Sequence, residues 1–118
     1  MEDNDIFLKL KSILKRYEPQ LALVHDKSDN YYLNTQISEN NKKAEFFGAV
    51  QSKKSYIAFH LMPVYYYPEL LENLSPELKN QMQGKSCFNF KKNDEKLFDE
   101  LNTLTKTCFE KYQFLKKI

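Results

Sequence analysis

Between residues 20 and 62 the chain changes its period, and that change limits its fold more than any other feature. The runs QLALVHD, NYYLNTQI, AEFFGAVQ and SYIAFHLM are short and rich in β-branched and aromatic residues, and only KSD, SENNKK and SKK separate them. Such runs predict strands. Connectors this short can close hairpins but cannot house the crossover helix that parallel neighbours require. The segment therefore predicts a four-stranded antiparallel meander.

The flanking segments have helical spacing. Ile6, Leu10, Ile13, Leu14 and Tyr17 recur at intervals of three and four, which predicts one amphipathic helix ending before Pro19, with Asp3 or Asp5 as its cap. Pro63 ends the fourth strand, and VYYY reads as a connector. Pro68 and Pro76 suit first helical turns, Ser75 is an N-cap, and Leu70, Leu71, Leu74, Leu78 and Met82 form the inward stripe of two short helices. Gly84 fits the left-handed position that closes the second of them. In KSCFNFK, Phe88 and Phe90 alternate with Lys85, Cys87, Asn89 and Lys91, which predicts a fifth strand. Asn93 or Asp94 then caps a long helix whose apolar face is Leu97, Phe98, Leu101, Leu104, Cys108, Phe109 and Tyr112. The expected architecture is α+β: an antiparallel sheet of about five strands, with an N-terminal helix, two short central helices and a long C-terminal helix packed mainly on one face.

At 118 residues, without repeats or low-complexity tracts, residues 1–118 read as a single domain. The acidic start MEDNDIF lacks the charge of a signal peptide, and no apolar run reaches the roughly 20 residues that span a bilayer. A cytoplasmic protein without a membrane partner is expected. Cys87 and Cys108 are too few for a secreted disulfide framework, so both are expected to be reduced. The net charge of +2 conceals a basic last third, with nine lysines against five acids over residues 79–118. Arg16 is the sole arginine, and lysine is poorer at bidentate phosphate and base recognition, which argues against a nucleic-acid partner.

The motifs that suggest chemistry are weak. MQGKSC contains Gly-Lys-Ser, but a phosphate loop needs a second glycine where Lys79 stands, and a preceding strand. His25, His60, Cys87 and Cys108 show no metal-ligand spacing, so no metal or cofactor is expected. Alternation does raise one pair. If Ile57, Phe59 and Leu61 point inward, Tyr56, His60 and Met62 share the opposite face, and Cys87 joins His60 there if the fifth strand lies beside the fourth. An imidazole beside a thiol could activate it, although no acid is in place to orient the histidine and no residue is assigned a catalytic role.

The same alternation places Tyr32, Asn34, Phe47, Tyr56, His60, Cys87, Asn89, Lys85 and Lys91 on that second face. They form an aromatic floor with polar rims, suited to a small organic anion or a partner segment. The candidate ligand-binding residues are Phe47, Tyr56, His60, Lys85, Cys87 and Asn89. Two other arrangements would remove the pocket: VYYY folding over this face, or a homodimer burying it.

The stretch from FFGAVQ to FNFKK, followed by an acid-capped helix, resembles the YdhG-like family of small bacterial domains of unknown function, over about Leu21 to Tyr112. The likeness rests on His60-Leu61-Met62-Pro63, on Ser75-Pro76-Glu77-Leu78, and on Gly84-Lys85 leading into alternating phenylalanines. It implies an α+β fold and no catalytic residues. Some members of the family are described as frataxin-like iron chaperones, a role that needs an acidic surface, and Glu69, Glu72 and Glu77 are the only acids of the middle third. The expected function is a non-catalytic module binding a small molecule or protein. An intracellular iron chaperone and a Cys87/His60 enzyme are the alternatives.

Overall fold

A computed structural model of the chain describes residues 2–118, with side chains from Asn4 onward. Helix α1 spans Glu2–Lys15 and precedes five strands: β1 (Ala22–Lys27), β2 (Asn30–Asn34), β3 (Phe46–Ser52), β4 (Ile57–Leu61) and β5 (Cys87–Phe90). Between β4 and β5 come two single α-turns, α2 (Pro63–Tyr66) and α3 (Pro76–Lys79), with a 3-10 turn over Pro68–Leu71 between them. Helix α4 (Glu95–Phe114) ends the fold. The sheet runs β1-β2-β3-β4-β5 with every pair antiparallel, so the α+β meander expected from the four short runs is present and β5 extends it beside β4.

Cross-strand register builds the core. Tyr31, Val50, Phe59 and Phe88 stand opposite one another from β2 to β5, and all four are fully buried. Helices α1 and α4 cover this side, and Tyr17, just beyond α1, packs on Phe109 of α4 with ring centroids 4.6 Å apart. The predicted stripe of α4, from Leu97 to Tyr112, is buried throughout. The Asp94 carboxylate caps α4 by accepting from the Leu97 N–H, and the Ser75 hydroxyl does the same for α3 from the Leu78 N–H.

Four expectations need correction. Helix α1 begins earlier than predicted, so Asp5 lies inside it and pairs with Lys9 one turn on rather than capping it; the side chain of Asp3 lies outside the described residues. VYYY is not a plain connector, because Pro63 at the first helical position holds φ where a turn needs it and α2 forms. Gly84 does have positive φ, 79°, but it closes no helix. The turn after α3 has already given way at residues 81–83 to pairing with β5, where the Asn89 N–H donates to the Gln81 carbonyl and the Gln83 N–H to the Cys87 carbonyl. That segment caps the outer edge of β5, which would otherwise present unpaired backbone groups.

The fourth correction concerns Phe47, placed by alternation on the face away from the helices. Leu33 stands opposite Gly48 and Asn34 opposite Phe46, so one residue of β3 is extra and the strand carries a bulge at Phe47. The bulge reverses the parity of the strand end. Phe47 turns into the core, edge-on to Phe109 and Tyr112 at 6.1 and 5.9 Å, and Phe46 takes the opposite face. Replacing Phe47 by Ala is expected to cost about 3–5 kcal/mol, as for a large buried aromatic. Phe46→Ala should cost much less, and urea unfolding of the two variants checks the assignment.

Candidate functional site

The side of the sheet away from α1 and α4 carries a row of ring-bearing side chains. Tyr32, Ala49, His60 and Cys87 stand opposite one another from β2 to β5, and His25 on β1 stands opposite Tyr32. Phe46, brought to this side by the bulge, stacks on Tyr32 with centroids 4.6 Å apart and lies 6.4 Å from the His60 ring. His25 meets Tyr32 edge-on at 5.8 Å. One register step along, Asn30, Gln51, Ala58 and Asn89 form a second, amide-rich row, in which the Gln51 amide donates to Asn30 Oδ1 at 3.2 Å.

The two alanines explain the shape. Ala49 and Ala58 are buried, while Tyr32, Phe46, Gln51, His60 and Asn89 around them remain partly exposed. The long side chains close over the short ones, and their partly exposed rings and amides line a shallow dish around His60. Beside it, Asn34 leaves its Oδ1 buried without a partner, an acceptor that an incoming donor would satisfy.

VYYY does not fill the dish. The Lys111 ammonium, from α4, lies 4.9 Å from the centre of the Tyr67 ring, and Tyr67 packs against the core; Tyr65 and Tyr66 are exposed. The Lys85 ammonium lies over Tyr65 at 5.8 Å. Of the six candidate residues, His60, Cys87 and Asn89 come together directly, Tyr56 enters β4 at the end of the same face, Lys85 engages Tyr65, and Phe47 is in the core.

The thiol and imidazole do meet, but without the polarity of a nucleophile pair. Cys87 Sγ lies 4.0 Å from His60 Nε2 and donates instead to Asn89 Oδ1 at 3.2 Å. Burial pushes the Cys87 thiol above its ordinary range, an effect the Lys53 ammonium only partly offsets. Burial lowers His60, and Lys53 lowers it further. A neutral thiol therefore faces a neutral imidazole, whereas an activated pair would be a thiolate beside an imidazolium. Cys108, wholly buried in α4, is pushed up to about 12.

Two contributors were not apparent from alternation. Phe46 was hidden by the bulge; the signal was the adjacent pair Phe46-Phe47, since both cannot obey a period of two on a half-buried strand. Lys53 sits on the β3–β4 turn, and its electrostatic effect on His60 and Cys87 depends on where that turn folds. Among the described residues no group of three or more His, Cys, Asp or Glu side chains is placed to hold a metal ion, and no helix is long and apolar enough to cross a membrane. No protein-family model, curated protein or solved structure matches the chain.

Two measurements follow from the titration directions. Iodoacetamide near neutral pH should label Cys87 far more slowly than a free thiol, and Cys108 only on unfolding. Because His60 is held below its ordinary 6.5, the unfolded chain binds the extra proton first. Its contribution to stability is complete above that value and declines as pH falls through the window beneath it. Thermal melts of His60→Gln should lack this component of the acid-side loss.

Proposed function

We propose that the chain is a non-catalytic binding module whose ligand site is the dish around His60, with a small organic anion as the ligand class. The observation that carries this reading is the aromatic row of Tyr32, Phe46 and His60, partly exposed above two buried alanines, with VYYY packed elsewhere and the Lys53 charge acting on the same spot. Half-exposed rings beside amides offer an apolar contact with directional hydrogen bonds, and the cation favours a negative ligand. Both cysteines are free, which suits a reducing compartment such as the cytoplasm. The resemblance to the YdhG-like family belongs with this proposal, since it implies a fold of this class and assigns no reaction.

No comparable observation favours the alternatives. The thiol and imidazole are displaced in the directions opposite to activation. For iron delivery, Glu69 and Glu72 are exposed on or beside one turn and Glu77 on the next, and among the described residues no acid of α4 joins them in a cluster.

Benzoate is a suitable probe. In a heteronuclear NMR titration it should shift the His60 ring and the backbone amides of Tyr32, Phe46, Cys87 and Asn89, and Lys53→Ala should weaken binding several-fold. An anion near His60 favours the imidazolium, so affinity should rise as pH falls below about 6.5. Shifts confined to α1 and α4, or light scattering that shows a dimer with the His60 face protected, would discard the small-anion reading.

A further inference from the structure

A second concavity, of about 580 Å³, opens at the end of the sheet where β5 gives way to α4. Its size is that of a small-molecule pocket. One wall is segment 81–83, held on β5 by the two backbone hydrogen bonds and by the bridge between Met82 and Phe88. The other is the β5–α4 turn, with Lys91, Lys92 and Asp94. Met82, Phe90 and Leu97 supply an apolar lining, and the Tyr56 ring stands at the β4 side.

The polar groups are unequally occupied. The Asp94 carboxylate is engaged in capping α4. Lys91 and Lys92 form no ion pair among the described residues, where the paired lysines are Lys9, Lys11 and Lys117. The side-chain amides of Asn80, Gln81 and Gln83 likewise make no hydrogen bond there, although each lines the cleft. Two adjacent unpaired ammonium groups match a dianion, free amides match hydroxyl or ring-nitrogen groups, and an aromatic ring with an apolar lining matches an uncharged planar body. A neutral sugar would leave both cations without a counter-charge. A monocarboxylate would answer only one.

We infer that this cleft binds a small phosphate monoester, with Lys91 and Lys92 on the phosphate and Tyr56 against the body of the ligand. The site shares its Tyr56 and Asn89 walls with the dish but excludes His60, so it does not depend on the reading of that face. Segment 81–83 gives it rigidity, because that wall is pinned to the sheet rather than carried on a free loop.

The test is a heteronuclear NMR titration of the full chain at constant ionic strength with inorganic phosphate, AMP and adenosine. Phosphate and AMP should shift the amides of residues 80–83 and 89–94 saturably, adenosine should not, and AMP should bind roughly threefold or more tighter than phosphate through the ring contact. Lys91→Ala/Lys92→Ala, at two exposed positions, should weaken both ligands about tenfold or more. Tyr56→Ala should bring AMP down to the level of phosphate, and His60→Ala should change neither. The inference falls if phosphate gives no saturable shift, if chloride reproduces it, or if the double lysine variant binds equally well. It falls too if a single-stranded oligonucleotide outcompetes AMP with a steep salt dependence, since that would mark a polymer surface.

Discussion

Two adjacent residues of β3, Phe47 and Gly48, allow both long helices to share one side of the sheet. The bulge turns Phe47 toward Phe109 and Tyr112 of α4, and the missing side chain of Gly48 admits Leu14 of α1. A Cβ at position 48 would lie 2.9 Å from the His60 carbonyl oxygen and 3.2 Å from Leu14 Cδ2, so the fit has no slack toward the backbone. Interiors packed at crystal-like density respond to even one added methyl group. The division of the sheet between α1 and α4 is settled within these two residues.

The same device shapes the other face. By sending Phe47 inward, the bulge sends Phe46 outward to stack on Tyr32, so the bulge decides which of the two phenylalanines joins the row from His25 to His60. Core and candidate site are therefore coupled through one extra residue. In that site the rings are positioned by strand register, while the one thiol among them is held neutral by burial and bonded to Asn89.

The segment MQGKSCFNFKK shows how a misleading motif is resolved by geometry. Its Gly-Lys-Ser is no phosphate loop, since Gly84 only turns the chain between two antiparallel partners. Yet the residues on either side of it line the cleft, with Gln81 and Gln83 before the turn and Asn89, Lys91 and Lys92 after it. The phosphate chemistry inferred there comes from unpaired side chains across two elements. None of it comes from the glycine.

Local rules were enough to determine the kind of fold. Short connectors forced antiparallel neighbours, periods of two and of 3.6 separated strands from helices, and Ser75 and Asp94 marked helix starts that the structure confirms atom by atom. Alternation was enough to place His60 and Cys87 on one face, because β4 and β5 are regular where they pair, but only the strand order of the sheet brings the two together. It failed at Phe47, where two phenylalanines compete for one inward position and only packing against α4 decides between them. It also failed at residues 81–83, which carry a helical pattern but pair with the open edge of β5. Tertiary structure alone determined the place of Tyr67, the reach of Lys53 and the existence of the cleft. Each depends on contacts between segments far apart in the chain, where local preferences of well under 1 kcal/mol per residue are outweighed by burial and by the need to pair buried backbone groups.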